Sequence, residues 1–335
     1  MFSDSAAMFT RIKSSLYNVQ AWASSAQGKR WLAYLRRLFV TGLILFLFYR
    51  LTQLGWREVL EALPSNPLFY LFFLGIYFTL PVTESLIYGY LWKVNPLKVF
   101  PVSFRKRVYN REVLGYSGEV YLYLWAHRVL GLNKRKAFKD IRDNTIISSI
   151  ISTMVAAGLL AAFLLTGQIH LPFAWDNQHQ LYAIGGGFLI TGIIVLLIRY
   201  RHLFFGLSRK QTMVLTGLHF MRLLLVNTFQ IAEWHVVLPA VPLSIWFTFL
   251  STLIILNRIP FLPSRDLIFL GTSMELSEWM QLSTTSVAGM LLVATVLDKT
   301  LNAVLFTLLS FLDRKKGVEP SEELPQESEA SLVES

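Results

Sequence analysis

Apolar residues gather along the chain in seven runs, at roughly 38–56, 67–92, 144–168, 180–199, 211–234, 239–257 and 284–312. Each is close to or above the about 20 mainly apolar residues that a bilayer-spanning helix needs. Two further stretches are apolar but interrupted. Val113 to Trp125 (VLGYSGEVYLYLW) is too short to cross and has basic residues on both sides, so it is predicted to dip in and return or to lie in the interface. Residues 259–281 (IPFLPSRDLIFLGTSMELSEWMQ) are broken by proline, glycine and charge. Residues 56–64 (WREVLEALP) alternate at helical spacing, as an interfacial helix does. The pattern predicts an all-α, polytopic membrane helix bundle, with about seven spanning helices plus two broken or re-entrant segments. The expected layout is an N-terminal segment over 1–37, a membrane domain over 38–312 and a disordered acidic tail over 313–335.

Composition sharpens this picture. The 335 residues are 54% hydrophobic and 16% charged, against about 25% charged residues in an ordinary soluble domain. That excludes a soluble globule and a disordered chain. There is no cysteine, which excludes a disulfide scaffold, a thiolate metal site and a cysteine nucleophile. Six of the 21 acidic residues follow Lys316, which is the last of the 31 lysines and arginines. The tail of 19 residues is rich in Pro, Ser and Glu and too poor in apolar side chains to order itself. The basic residues flank apolar runs, so membrane topology and anionic lipid headgroups account for them better than nucleic acid does. Arg11, Lys13, Lys29, Arg30, Arg36 and Arg37 place the N-terminus in the cytoplasm, and no cleavable signal pattern precedes the first run. By the same rule the basic residues from Lys93 to Arg111 and from Arg128 to Arg142 are cytoplasmic, as are Arg199, Arg201, Arg209 and Lys210. Residues 169–179 contain no Lys or Arg and fall outside. Arg258 and Arg265 against Arg314, Lys315 and Lys316 leave the side of the C-terminus open.

Candidate chemistry follows from polar groups placed where lipid is expected, because an ionisable residue inside a span is costly. The second run holds Pro81, Thr83, Glu84 and Ser85 near its middle. Pro81 removes a backbone hydrogen bond, and Glu84 lies too far from either end to reach the headgroups. In the fifth run His219, Arg222, Asn227, Gln230 and Glu233 share one helix side, a stripe that must face protein or a watery cavity. Arg222 is the candidate phosphate ligand, through bidentate donation, or else a partner of Glu84 or Asp298. The seventh run holds Asp298, Lys299 and Asn302. Asp298 and Asn302 lie one turn apart, and Asp298 and Lys299 are expected to neutralise each other. Gly185 to Gly187 permit close helix approach, with no strand before them or lysine after them to make a phosphate loop.

Asn110 to Glu119 (NREVLGYSGE), followed by Ala126-His127-Arg128, Gly131 and Arg142-Asp143, resembles the first signature of the flippase-like membrane domain of the lysylphosphatidylglycerol synthase family. Arg258 to Pro263 (RIPFLP), Gly271 to Glu275 and Lys299 look like the second. Here Pro263-Ser264-Arg265-Asp266 stands where that family has a glycine pair, and Lys299 replaces its arginine, which leaves the chemistry of the second signature open. The spacing of 23 residues from Glu119 to Arg142 and of 24 from Glu275 to Lys299 hints at an internal repeat. The resemblance covers roughly residues 35–312 and implies lipid movement between leaflets of a bacterial plasma (inner) membrane. With 19 residues after Lys316, no aminoacyl-transferase domain is expected to follow.

The expected substrate-binding residues are Glu84, Ser117, Gly118, Glu119, Arg142, Arg222, Gln230, Arg265, Asp266 and Lys299. The expected partner is the anionic or zwitterionic headgroup of a membrane phospholipid; no nucleic acid, cofactor or metal is expected, and a homo-oligomer is left open. A proton-coupled secondary transporter of a small solute, using Glu84 or Glu119, is the alternative. A membrane enzyme on lipid-linked substrates is disfavoured, because no H-E-x-x-H, D-D-x-x-D or phosphate loop appears and the six histidines are scattered.

Overall fold

The computed structural model describes residues 26–113, 115–165, 206–259, 262 and 264–315. The expected fourth span at 180–199 with Gly185 to Gly187, the loop at 169–179, Arg11, Lys13, Arg199, Arg201, Pro260, Pro263 and the tail from Lys316 lie outside them. Every described element is helical: α1 (Ala26–Leu54), α2 (Trp56–Glu61), α3 (Pro67–Trp92), α4 (Pro96–Val108), a π-helical turn (Tyr109–Val113), α5 (Ser117–Leu130), α6 (Lys134–Leu165), α7 (Arg209–Val237), α8 (Leu243–Arg258), α9 (Arg265–Trp279) and α10 (Thr284–Lys315).

Among the described residues, four helices are long and apolar enough to cross a bilayer: α3, α6 over Lys134–Phe163, α7, and α10 over Thr284–Leu309. Large apolar side chains face outward on them, including Leu71, Met213, Phe220, Val304 and Leu308. In water such a surface is unfavourable, while in lipid it is the natural exterior. The chain is a helical membrane protein. The expected first span coincides with most of α1, and the expected sixth with α8, whose 16 residues reach about 24 Å, short of the roughly 30 Å hydrocarbon core.

The two interrupted stretches differ from each other. In the interrupted stretch 259–281 the helix stops at Arg258 and restarts at Arg265 after a left-handed Ser264 (φ 50°). Residues 265–279 then form one continuous helix, α9, with Gly271 inside it. A Cβ at Gly271 would meet Leu47 of α1 at 3.4 Å, so the glycine serves helix packing and does not mark a break. The stretch around Gly115, by contrast, is the bend of a helical hairpin. Helix α4 begins at Pro96 under an Asn95 cap, whose side chain accepts from the Leu97 N–H at 2.9 Å. Tyr116 adopts a left-handed conformation (φ 69°) and starts α5, and Gly131 (φ 65°) closes it.

The chain divides into two compact units. The first takes in α1, α2, α8, α9 and the adjoining parts of α3, α6, α7 and α10. Its core is aromatic: Trp234, Trp246, Phe249 and Phe269 are buried, with the Trp234 ring 5.9 Å from Trp246 and 5.8 Å from Phe269. Of the described residues, the second unit holds those of Tyr77–Ser148, those from Gly206 to Arg222, and those from Val296 to Lys315. It is built around the α4–α5 hairpin, where Arg105 meets Tyr121, and Tyr109 packs against Tyr121 with tilted rings whose centres are 5.1 Å apart. Gly118 sits at the closest approach. Its N–H donates to Asn110 Oδ1 at 2.7 Å, and a Cβ there would be driven into the Lys106 carbonyl.

Gly118→Ala is therefore expected to lower stability by about 1–3 kcal/mol through overpacking. Gly115→Ala is the matched control, because nothing lies within 4 Å of a Cβ at that position. Thermal melting in detergent micelles measures both, and equal melting temperatures would show that the hairpin tolerates wider spacing.

Candidate functional site

The second unit concentrates charge in its interior. Arg105, Lys106 and Arg107 are consecutive on α4, and each is less than a tenth exposed. Three cations side by side in a helix point about 100° apart, so each must find its own partner. Lys106 bonds to Glu84 of α3, and its Nζ also lies 3.2 Å from Glu119 Oε1 at the start of α5. Arg107 donates to Asp298 Oδ1 of α10 at 2.7 Å and to Asn302 Oδ1 at 2.8 Å, and its guanidinium stacks 4.0 Å from the centre of the Tyr77 ring. Arg105 donates to the Tyr121 hydroxyl at 3.0 Å and the Leu309 carbonyl at 2.6 Å.

Around this triplet the network continues. Arg111 lies 3.1 Å from Asp298, and Lys299 lies 2.9 Å from Glu112. Asn302 links them, since its Oδ1 accepts from Tyr77 and Arg107 while its Nδ2 donates to Glu112 and Asp298. Four carboxylates thus each meet a cation, as charges inside a membrane protein must. Burial works against the Lys106 ammonium, but Glu84, with Tyr88 and Glu119, outweighs it and holds its pKa above the usual lysine range.

A neutral polar chain runs beside the ionic one. Asn144 of α6 donates to the Tyr88 hydroxyl at 3.0 Å and shares a 2.9 Å hydrogen bond with His219 Nε2. One turn further along α7, Arg222 donates to Ser148 Oγ at 3.3 Å. Its buried Nε has no partner, and no carboxylate lies within ion-pair distance of it among the described residues. Arg222 falls midway along the 29-residue α7, about 20 Å from either end of the helix.

Seven of the ten expected site residues belong to the second unit: Glu84, Ser117, Gly118, Glu119, Arg142, Arg222 and Lys299. Glu84, Glu119 and Lys299 join the ionic network, while Ser117 and Gly118 close the hairpin through Tyr109 O and Asn110. Arg142 is clamped on Asp143, which is fully buried and also accepts from the Gly206 N–H at 2.6 Å. Glu119 and Arg142, spaced like a repeat unit, thus take different partners. Gln230, Arg265 and Asp266 belong to the first unit, where Gln230 donates to Glu233 at 2.6 Å and Arg265 to the Ile259 carbonyl at 3.2 Å. The polar stripe of α7 accordingly divides, with His219 and Arg222 in the second unit and Asn227, Gln230 and Glu233 in the first.

Two sequence expectations need correction. Asp298 and Lys299 do not neutralise each other, because adjacent helical residues face different directions; Asp298 meets Arg107 and Arg111, and Lys299 meets Glu112. Neither Glu84 nor Asp298 pairs with Arg222, since α4 supplies the cations for both. The positive-inside rule places Arg105, Lys106, Arg107 and Arg111 among the cytoplasmic loop charges, and sequence reading gives Glu112, although inside the first signature, no role of its own. The available signal was the apolar frame of Val99, Val102, Phe104 and Val108 around the triplet, which marks a buried helix.

Lys106→Met strands Glu84 and Glu119, so it is expected to cost roughly 3–5 kcal/mol. The Glu84→Gln/Lys106→Met double variant is expected to recover a large part of that loss. Melting curves of the two variants decide the matter, and a double variant no better than the single one would argue against a coupled pair.

No protein-family model, curated protein or solved structure matches the chain.

Proposed function

We propose that the chain is a flippase-like lipid carrier, binding a phospholipid headgroup and moving it between leaflets, and that it is a standalone relative of the flippase-like membrane domain of lysylphosphatidylglycerol synthases. The observation that carries the reading is Arg222, a half-buried guanidinium midway along a spanning helix, which among the described residues hydrogen-bonds to a serine hydroxyl and has no carboxylate within ion-pair distance. A cation so placed favours an anion, and the phosphate of a lipid is the anion a bilayer supplies. The guanidinium fork suits phosphate oxygens in a way that a point charge does not.

The surroundings support the same reading. His219, Asn144, Tyr88 and Ser148 give the headgroup a hydrogen-bonding route that hydrocarbon lacks. The apolar exterior leaves acyl chains in lipid while the head follows polar residues. The α4–α5 hairpin is read as a re-entrant element, held in place by its ion pairs, within a bundle of about seven spans. The setting is the bacterial plasma membrane with a cytoplasmic N-terminus, where the basic residues before the first span belong.

A second reading, a proton-coupled transporter of a small solute, draws support from Glu119, whose buried Oε2 has no partner beside Lys106. The two are separated by reconstitution. In liposomes carrying a fluorescent phospholipid, the wild type is expected to move lipid between leaflets. Arg222→Ala is expected to slow this by tenfold or more, and Arg222→Lys to restore it only in part. Unchanged lipid movement in Arg222→Ala, or solute uptake driven by a pH gradient with no lipid movement, would overturn the carrier assignment.

A further inference from the structure

The second unit contains a cleft of about 400 Å³ at the N-terminal ends of α6 and α7, away from Arg222. Gln211 on its wall is 11 residues before Arg222, or about 16 Å along the helix. The lining includes Asn133, Arg135, Lys136, Lys139, Gly206 and Gln211, with Asp140 as its carboxylate. That carboxylate is already engaged, because Asp140 Oδ2 accepts from Lys136 Nζ at 2.6 Å and from Trp92 Nε1 at 3.0 Å. Asp143, one turn on, is likewise held by Arg142 and the Gly206 N–H. Arg135 and Lys139 therefore bring positive charge with no carboxylate within ion-pair distance among the described residues.

The two amide side chains of the cleft are fixed in direction by the backbone. Asn133 caps α6 with its oxygen, which accepts from the Arg135 N–H at 2.9 Å. Gln211 Oε1 accepts from the Ser208 N–H at 2.9 Å, and Ser208 Oγ in turn accepts from the Gln211 N–H at 3.3 Å, a reciprocal capping box. A backbone N–H can meet only the oxygen of each amide, so both NH₂ groups are left to serve as donors. The cleft thus offers ammonium, guanidinium and amide donors, and its one carboxylate is neutralised. The partial positive charge at the start of two long helices adds to the field.

We propose that this cleft is a binding site for a phosphate group, carried either by an anionic phospholipid or by a soluble phosphate. The assignment stands independently of the headgroup reading of Arg222. Phosphate combines charge with acceptor-only oxygens, matching a site rich in donors whose one lining carboxylate is already paired with Lys136.

The test uses the full chain in nanodiscs of phosphatidylcholine, titrated with inorganic phosphate against chloride at constant ionic strength and read by thermal shift. Wild type is expected to bind phosphate saturably and chloride far more weakly. Arg135→Gln/Lys139→Gln removes both unpaired charges and is expected to weaken binding at least tenfold. Asn133→Asp/Gln211→Glu keeps both caps, since each new carboxylate still accepts from its N–H, but replaces donors with negative charge. It is expected to melt like the wild type without phosphate and to lose phosphate binding. Repetition in nanodiscs containing phosphatidylglycerol identifies the source. Loss of the phosphate response there assigns the cleft to the lipid, and an unchanged response assigns it to a soluble ligand. Equal response to phosphate and chloride, or wild-type binding by both variants, overturns the site. Arg222→Ala is expected to leave phosphate binding intact, so failure of one reading is distinguishable from failure of the other.

Discussion

Charge in a low-dielectric interior must be met by opposite charge, and the second unit is organised around that requirement. Lys106, buried between Glu84 and Glu119, ties the α4–α5 hairpin to α3, and Arg107 ties the hairpin to α10 through Asp298 and Asn302. Coulomb attraction strengthens as the local dielectric falls, and so does the penalty for leaving a partner unmatched. The hairpin also buries Val99, Val102, Phe104, Val108 and Leu122, and the ion pairs fix which charged side chains of α3 and α10 it meets. Gly118 matters for the same reason, because the backbone approach that it permits places Glu119 within reach of Lys106.

Within this arrangement Arg222 is the exception. Every carboxylate of the ionic network is matched by cations from α4, the π-helical turn or α10, and among the described residues none lies within ion-pair distance of Arg222 on α7. The charged residues thereby sort into two kinds. One set neutralises itself and holds helices together. The other, Arg222 with the His219–Asn144–Tyr88 chain, keeps hydrogen-bonding capacity available along spanning helices. The basic cleft at the starts of α6 and α7 repeats the pattern outside the ionic network, with Asp140 and Asp143 satisfied and Arg135 and Lys139 left over.

The hydrophobic runs determine the helical membrane character of this chain, because a segment of some 20 apolar residues has few stable states other than a helix in lipid. Helices α3, α6, α7 and α10 follow those runs closely, and the intramembrane positions of Glu84, Arg222, Asp298 and Asn302 are legible from the same pattern. The sharing of one helix face by Asp298 and Asn302 also follows from periodicity alone, and the two are hydrogen-bonded at 3.2 Å. What tertiary structure decided is which charge meets which. Arg105, Lys106 and Arg107 look like any cytoplasmic basic cluster in sequence, and only the folding of α4 against α3, α5 and α10 makes them counter-ions. The continuity of α9 through Gly271 was equally hidden, since a glycine that breaks a helix and one that lets a neighbour approach are the same letter. Pairing joins side chains as far apart in sequence as Arg107 and Asp298, separated by 191 residues, and no local pattern encodes a contact across that distance.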